Sequence, residues 1–437
     1  LQGGSISVVS TMAPAQPGQG VVDLSGLRMK IDPKAEWKQM FHEVWRNEPL
    51  LFYADNLHGI DPQAMDRRYE PFLEGIASRE DFNYLLEDMT GELSIGHMWA
   101  GGGDIPSLRD YVPGGLLGAD FKFENGRYRL SRVYDGERWN PGLYAPLAQP
   151  GVLAKPGEYV LAIDGRELTD ATDLYEALEG KAGKQVKVKL GPTPDGKDSR
   201  EVTVLPVGSE AGLRRQAWVE DNRRYVEKAT GGRGGYVHVP DTAQGGWTNF
   251  TRYYYAQTGK DGIVVDERFN SGGLITDFLI REMLKEPSGA FAPRHGREMP
   301  TPAAAIYGPK VMLINSLSGS GGDMFPWLFR KHQVGKIVGK RTWGGLIASF
   351  SFGLIDGGRV NAPDWAFFDP ATNKWDVEGW GVDPDIDVEM DPFLWRQGKD
   401  SQLDRAVAEL NKSLATYKKP TFKRPPYPVK TGVGGRF

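Results

Sequence analysis

The chain is 437 residues long, more than one ordinary hydrophobic core can hold, and this length predicts about two to four domains. Hydrophobic residues make up 40% and charged residues 25%, which is typical of a folded globular protein and excludes a wholly disordered chain. The formal net charge of -4 argues against a nucleic-acid-binding protein, because no basic excess is available to meet phosphates.

The sequence contains no cysteine, which excludes disulfide bonds, thiolate metal ligands and a cysteine nucleophile. No apolar run approaches the roughly eighteen residues of a membrane-spanning helix. The chain begins with Leu1, and its opening residues lack the charged start and apolar core of a signal peptide. We therefore expect it to be an internal piece of a longer product.

Residues 1–25 contain a strand-like run from Ser5 to Val9 and then a Pro/Gly-rich linker, which we interpret as the tail of a missing N-terminal domain. Residues 26–111 predict a small helical domain. Apolar residues recur there at helical spacing: Trp37, Met40, Phe41, Val44 and Trp45. Further helices are predicted at 62–72 and 78–89, the latter with Ser78 as N-cap.

Residues 112–208 predict a β-rich domain with one helix at 170–178. Apolar residues alternate or run together in three predicted strands: 128–133, 159–165 and 186–190. Two stretches, Gly115–Ala119 and Gly157–Glu167, resemble the carboxylate-binding loop of a PDZ domain and the segment before its helix.

A PDZ-like domain would bind a peptide through consecutive backbone amides and an exposed sheet edge. The loop amides expected to hold the terminal carboxylate are those of Gly115, Leu116, Leu117 and Gly118. The alternative is a β-rich spacer that binds nothing.

Residues 209–400 alternate strand-like and helical segments, the pattern of an α/β domain with a largely buried mixed sheet. The predicted strands are 235–239, 262–266, 311–315 and 334–338. The predicted helices are 247–257, 274–284 and 323–331. Residues 401–437 predict a C-terminal helix and an extended Lys/Pro-rich tail. The predicted fold class is therefore multidomain, combining α+β and α/β parts.

A Ser/Gly-rich turn, 316–322, joins a buried strand to a helix for which Asp323 is the expected N-cap. Small residues around Ser320 allow a sharp turn that exposes its hydroxyl, as at a nucleophile elbow. The amide of Gly321, at the positive end of the helix dipole, could then face a developing oxyanion. A structural turn and a phosphate-binding loop are the alternatives, although the lysine of a P-loop is missing.

A second Gly-rich turn, 266–273, also follows a predicted strand. Loops beyond the carboxyl ends of strands in an α/β sheet converge on one crevice, so this turn can bring a second amide to the same oxygen. Two unrelated turns are the alternative.

A serine nucleophile needs a base, and His97 is the favoured histidine because it lies just past a helix in a glycine-flanked turn, where its ring can project into a cleft. The other five histidines occupy ordinary strand, helix or loop positions: His42, His58, His238, His295 and His332.

Six stretches in one order resemble the tricorn protease family, relatives of the C-terminal processing peptidases. They are Glu36–Met40, Gly91–His97, Asp266–Gly273, Ser318–Pro326, Arg341–Gly345 and Gly381–Asp385. The resemblance implies a helical segment, a PDZ domain and an α/β catalytic domain, in the order predicted above. It also implies N-terminal β-propeller domains, which this sequence lacks.

Position by position, the resemblance makes Ser320 the nucleophile and His97 its general base. It assigns the oxyanion hole to the amides of Gly273 and Gly321. These assignments agree with the turns described above.

The resemblance also places Glu378 where the family has a carboxylate that polarises the histidine through a hydroxyl. In the family a serine precedes the histidine and relays to this glutamate, whereas here that position is Gly96. Water, another hydroxyl such as that of Ser94, or a direct contact are the alternatives for joining His97 to Glu378.

The function implied is that of a serine peptidase that hydrolyses peptides or oligopeptides through an acyl-enzyme and needs no metal or cofactor. Peptide substrates and further copies of the chain are the implied partners, since the family forms rings, and a hexamer is the expected state. The family favours a cytoplasmic location, with export as the alternative because the native N-terminus is not seen. Preference for cleavage after Lys or Arg stays open. The rival function is a peptide-binding scaffold with a degenerate catalytic fold, which Gly96 favours.

Overall fold

The computed structural model describes residues 6–12, 14, 16–106 and 112–429. Ser5, where the first predicted strand begins, lies outside the described residues. In the same region Ser7 and Val21 form an isolated antiparallel bridge. None of the described helices is both long and apolar enough to cross a lipid bilayer.

The described residues form ten α-helices and eighteen strands. The helices are α1 (Pro33–Leu51), α2 (Pro62–Tyr69), α3 (Arg79–Gly91), α4 (Leu174–Ala177), α5 (Ala211–Ala229), α6 (Gln244–Ala256), α7 (Thr276–Met283), α8 (Gly321–Lys331), α9 (Pro392–Arg396) and α10 (Ser401–Thr416). The strands are β1 (Ala100–Gly101), β2 (Ala119–Glu124), β3 (Arg127–Val133), β4 (Tyr159–Ile163), β5 (Arg166–Glu167), β6 (Val186–Gly191), β7 (Arg200–Val204), β8 (Gly234–His238), β9 (Gly262–Asp266), β10 (Gly289–Phe291), β11 (Met299–Thr301), β12 (Lys310–Ile314), β13 (Gly335–Gly339), β14 (Ala348–Gly353), β15 (Arg359–Trp365), β16 (Phe368–Asp369), β17 (Lys374–Trp375) and β18 (Ile386–Asp387).

One of two compact units is mainly helical. It is built from the described residues of Leu1–Ser94, Met98–Ile105 and Ser349–Asp364. Asp32 caps α1 by accepting hydrogen bonds from the amides at the start of that helix. The predicted apolar stripe of α1 is confirmed, because its members pack into the core of this unit: Met40, Phe41, Val44 and Trp45 are buried, with Trp37 partly buried.

The helix predicted at 62–72 is shorter in the structure. α2 ends at Tyr69 and residues Glu70–Gly75 form a 3-10 helix. Pro71 explains the difference, since it has no amide hydrogen and its ring prevents the α-helix from continuing. The N-cap predicted for α3 is confirmed, because Ser78 and Asp81 each accept a hydrogen bond from the other's backbone amide.

Residues 349–364 fall within the predicted catalytic range 209–400, yet they belong to the helical unit. In this segment β15 pairs with β1 in antiparallel register, with Val360 opposite Ala100. Val360 and Leu354 are buried in the same core as α1. Pairing between strands so far apart in sequence depends on tertiary contacts, which the local apolar pattern does not record.

The second unit contains the β-rich domain and the α/β domain. In the β-rich domain the strands pair in the order β2-β3-β4-β6-β7, and these pairings are antiparallel. The helix predicted at 170–178 is reduced to the single turn of α4. Asp173 accepts hydrogen bonds from the amides of Tyr175 and Glu176, which makes Leu174 the first helical residue.

In the α/β domain five strands pair in parallel in the order β18-β13-β12-β9-β8. Every residue of β8, β9 and β12 is buried, which accounts for their near-continuous apolar sequences. The predicted multidomain α+β and α/β architecture is confirmed. The mixed sheet predicted for the α/β domain is not found among the described residues, because β18, β13, β12, β9 and β8 pair only in parallel. Helices α6 and α8 cross over between β8 and β9 and between β12 and β13, so that each following strand runs in the same direction as the one before.

The neighbouring strands β8, β9 and β12 are parallel, so the loops that follow them meet at one edge of the sheet. The loop after β9 is fixed by an ion pair between Asp266 and Arg268, whose side chains are fully buried. Arg268 also donates to Asp400 and Gln402 at the start of α10. These partners compensate the buried charge of Arg268. The beginning of the 267–273 loop is therefore held in place.

Candidate active site

Ser320 lies at the sharp turn between β12 and α8. Its backbone is in the left-handed region, with φ 58° and ψ −118°, which a residue other than glycine rarely adopts. The prediction that Asp323 is the N-cap of α8 is wrong. The helix begins at Gly321, Ser320 occupies the N-cap position, and Asp323 is the third helical residue, with its carboxylate accepting from the Ser320 amide at 2.8 Å.

Asp323 holds the nucleophile turn in this conformation. Its side chain is fully buried and accepts further hydrogen bonds from the amides of Gly344 at 2.8 Å and Gly345 at 3.1 Å. Burial raises the pKa of Asp323, and hydrogen bonds from Thr342 and from these amides oppose that rise. Sequence reasoning assigned Asp323 only a capping role, although its spacing from Ser320 is that of a capping box.

The backbones of Gly273 and Gly321 lie against each other beside Ser320. A Cβ built on Gly321 would collide with the Gly273 carbonyl oxygen and lie 2.8 Å from the Gly273 nitrogen. A Cβ on Gly272, where φ is +90°, would lie 3.1 Å from the Ser320 hydroxyl oxygen. Only glycine permits this approach. The amides of Gly273 and Gly321 donate to no described residue, so both are available to an oxyanion.

His97 is brought to the nucleophile turn by Trp343. The two ring centroids are 5.2 Å apart. The same indole also packs against the turn, because a Cβ on Gly319 would lie 2.6 Å from Trp343 Cε3. The Trp343 amide also donates to the Ser318 carbonyl at 2.9 Å. Burial lowers the pKa of His97, and the charge of Glu378 opposes this by raising it.

Glu378 binds the backbone of Gly96, the residue that precedes His97. Its Oε1 accepts from the Gly96 amide at 2.9 Å. Its Oε2 accepts from the amides of Leu346 at 2.6 Å and Ile347 at 2.8 Å. A Cβ on Gly96 would lie 3.3 Å from Oε1, so the missing side chain leaves the carboxylate close to the backbone beside the base. The Ser94 hydroxyl instead donates to the Glu92 carbonyl at 3.4 Å.

Five consecutive amides connect the Ser320 turn to Glu378, and four of them bond to the two acids of the site. In the segment 343–347, the first amide donates to Ser318, the next two to Asp323 and the last two to Glu378. One acid fixes the nucleophile turn and the other approaches the base. The segment thus links the Ser320 turn to the carboxylate that lies beside Gly96. The sequence identifies this segment only in part, through the family motif Arg341–Gly345.

Three family models match this chain. The Tricorn protease C1 domain matches residues 33–91, the Tricorn protease PDZ domain matches residues 115–209 and Peptidase family S41 matches residues 233–388. Tricorn protease homolog 1 of Streptomyces coelicolor is 36% identical over 93% of this chain and 38% of its own length. The chain belongs to the tricorn protease family.

Two further tricorn relatives agree. The Tricorn protease of Thermoplasma volcanium is 31% identical over 91% of this chain and 38% of its own length. A crystal structure of the tricorn protease aligns with a TM-score of 0.85 at 29% identity, over 91% of this chain and 38% of that chain. The chain thus spans about two fifths of the length of these tricorn relatives. Its S41 domain is a serine-type peptidase domain.

The tricorn PDZ domain uses part of its predicted carboxylate-binding loop internally. The amide of Gly115 donates to Leu178 at 2.9 Å and that of Leu116 donates to Val207 at 2.8 Å. Leu117 is buried in the domain core, and Gly118 has φ +71°. Carboxylate binding by this loop therefore stays a prediction that depends on the amides of Leu117 and Gly118.

Replacing Glu378 by Gln is expected to move the acidic limb of the kcat/KM profile to lower pH. A histidine serves as a general base only when it is neutral, so with His97 in that role the rate is expected to rise as the pH rises through the pKa of His97. The Glu378 charge raises that pKa, and its removal therefore lowers the midpoint. Burial is the larger influence and lowers the pKa, so the wild-type midpoint should already lie below the ordinary imidazole value of about 6.5.

The measurement is the pH dependence of kcat/KM for one peptide substrate with wild type and Glu378→Gln. Glu409→Gln is a suitable control, because Glu409 pairs with Arg405 on the surface of α10. An unchanged midpoint, or one displaced to higher pH, would contradict the electrostatic role of Glu378.

Proposed function

We propose that Ser320, His97 and the amides of Gly273 and Gly321 form the active site with which this chain hydrolyses peptide bonds. The observation that carries the proposal is the pair of free amides beside a serine held in a left-handed turn. A strained, partly exposed serine flanked by two oxyanion donors is the arrangement that acyl transfer requires.

In the proposed mechanism the Ser320 oxygen attacks the scissile carbonyl carbon while His97 takes the hydroxyl proton. The carbonyl oxygen becomes an oxyanion and accepts from the amides of Gly273 and Gly321. His97 then gives its proton to the leaving amine as the C–N bond breaks. Water attacks the acyl-enzyme by the same route and releases the acid product.

Glu378 favours the imidazolium that forms during each step through its charge, and the hydrogen bond from the Gly96 amide holds the carboxylate near the base. In the proposal a backbone amide of the residue next to His97 takes the place that the family gives to a serine hydroxyl. The lack of that hydroxyl therefore does not disconnect the carboxylate from the base.

The wider features of the protein are proposed on the family resemblance. The proposed substrates are peptides or oligopeptides. Copies of the chain are proposed to assemble into a ring, with a hexamer as the expected state. A cytoplasmic location and N-terminal β-propeller domains beyond this sequence are proposed on the same ground. The proposed domain boundaries are 26–111, 112–208 and 209–400, with the exception of 349–364 noted above. They are supported by the order of the three matched family domains.

A cleavage survey on a peptide library tests the proposed function. The purified chain should release new peptide termini at defined positions, and Ser320→Ala should release none above background. Ser318→Ala is the matched control, since Ser318 is fully buried and donates to the Glu267 carbonyl. Peptide binding without any cleavage would contradict the proposal and favour the scaffold.

A further inference from the structure

Thr242 is a buried residue of the candidate active site to which the proposed mechanism gives no role. It follows β8, and it is fully buried. Its amide donates to Gly272 at 2.8 Å, and its carbonyl accepts from Ile275 at 3.0 Å. These backbone bonds fix Thr242 against the loop that carries Gly273, whatever its side chain does.

The Thr242 hydroxyl oxygen lies beside Gly321 and close to Gly273, the two residues proposed to form the oxyanion hole. A Cβ built on Gly321 would collide with Thr242 Oγ1, and the same Cβ would lie 2.8 Å from the Gly273 nitrogen. Oγ1 is buried and has no hydrogen-bond partner among the residues that the structure describes. A buried hydroxyl without a partner destabilises the free protein, and native structures rarely keep one without a functional reason.

Gly321 also lies at the N-terminus of α8, an eleven-residue helix whose dipole favours negative charge at this end. The unpartnered hydroxyl and the helix end thus lie beside the backbone of Gly273 and Gly321, whose amides are free. A negatively charged oxygen bound there would satisfy all of them.

We propose that the Thr242 hydroxyl is the third donor of the oxyanion hole, an inference that rests on the proposed peptidase function. As the Ser320 oxygen bonds to the scissile carbon, the carbonyl π electrons move to the oxygen and the serine proton moves to His97. The Thr242 O–H then donates to that oxygen beside the two amides. When the C–N bond breaks, the electron pair returns to the carbonyl and His97 protonates the amine. The hydroxyl bond is strongest in the transition state, so it raises kcat.

Thr242→Val tests the proposal because valine keeps the branched shape and removes the donor. With a peptidyl aminomethylcoumarin chosen from the library survey, kcat should fall about 10- to 100-fold while KM stays within about twofold. Affinity for the matching peptide aldehyde, which forms a tetrahedral adduct with the serine, should fall with kcat/KM. The Tm should be unchanged or higher, since an unpartnered buried hydroxyl is removed.

Thr242→Ser is the matched variant that keeps the donor, and its kcat should stay within about threefold of wild type. Wild-type kcat and aldehyde affinity in Thr242→Val would overturn the proposal. If the valine variant does not fold, Thr242→Ala is compared with Thr242→Ser, and equal kcat values for these two would also overturn it. If the wild-type chain shows no Ser320-dependent cleavage, the proposed peptidase function itself is refuted. Unchanged kinetics in Thr242→Val would refute only the role of the Thr242 hydroxyl.

Discussion

His97→Ala is expected to lower kcat by about three to six orders of magnitude, with KM changed little. The imidazole is the group proposed to take the Ser320 proton, and a serine hydroxyl that keeps its proton is a poor nucleophile at neutral pH. The structure supports this role, because the His97 ring contacts the same indole that packs on the nucleophile turn. Steady-state kinetics on a fluorogenic peptide measure the effect.

His332→Ala is the control for that experiment. His332 follows α8 in the same unit and is exposed, so its removal should leave kcat within about twofold of wild type. If His97→Ala kept more than about a tenth of the wild-type kcat, a different base would have to serve Ser320.

Gly321→Ala is expected to lower kcat by about a thousandfold, the upper range for loss of an oxyanion donor. The added methyl group would collide with Thr242 Oγ1 and the Gly273 carbonyl oxygen. A backbone atom cannot move aside as the end of a flexible side chain can, so the loops that carry Gly273 and Gly321 must separate. Their two amides can then no longer donate to the same oxyanion. Kinetics report the loss, and circular dichroism checks that the fold persists.

Gly259→Ala provides the comparison, since a Cβ on Gly259 would meet no atom within 4 Å. It should leave kcat unchanged. Gly321→Ala with a kcat close to that of Gly259→Ala would mean that the Gly273 and Gly321 amides do not stabilise the transition state.

Much of the fold is predictable from the sequence because the core elements are strongly periodic. The stripe from Trp37 to Trp45 lies at helical spacing and is buried, as that pattern requires. The strands at 262–266 and 311–315 are continuous apolar runs, and they are adjacent in a buried parallel sheet. In such segments the local pattern and the tertiary contacts favour the same structure.

The structure differs from the sequence-based predictions where tertiary contacts determine the local structure. Segment 349–364 joins the helical unit through the pairing of Val360 with Ala100, and nothing near position 360 records that partner. The start of α8 was misplaced because Asp323 is the first good capping residue after the glycines. The left-handed backbone of Ser320 moves the cap back to that residue.

The candidate site was only partly predictable for a similar reason. The Gly-rich turns predict that Ser320, Gly273 and Gly321 lie at one edge of the sheet, and the structure places their backbones side by side. Sharp turns at strand ends have a local signature, whereas the chemistry of these residues stays a prediction. The contact between Gly96 and Glu378 spans 282 positions and involves a backbone amide. Every residue type except proline has a backbone amide, so the residue types do not indicate which amide binds a distant carboxylate. The contact that places Glu378 beside the residue before His97 is therefore seen only in the structure.

The central claim is that one serine, activated by one distant histidine, performs covalent chemistry. Labelling the intact chain with a fluorophosphonate and mapping the adduct by mass spectrometry tests it most directly. We expect a single adduct on the peptide that contains Ser320, no adduct in Ser320→Ala and a greatly slowed reaction in His97→Ala. An adduct on another serine, or an undiminished labelling rate in His97→Ala, would contradict it.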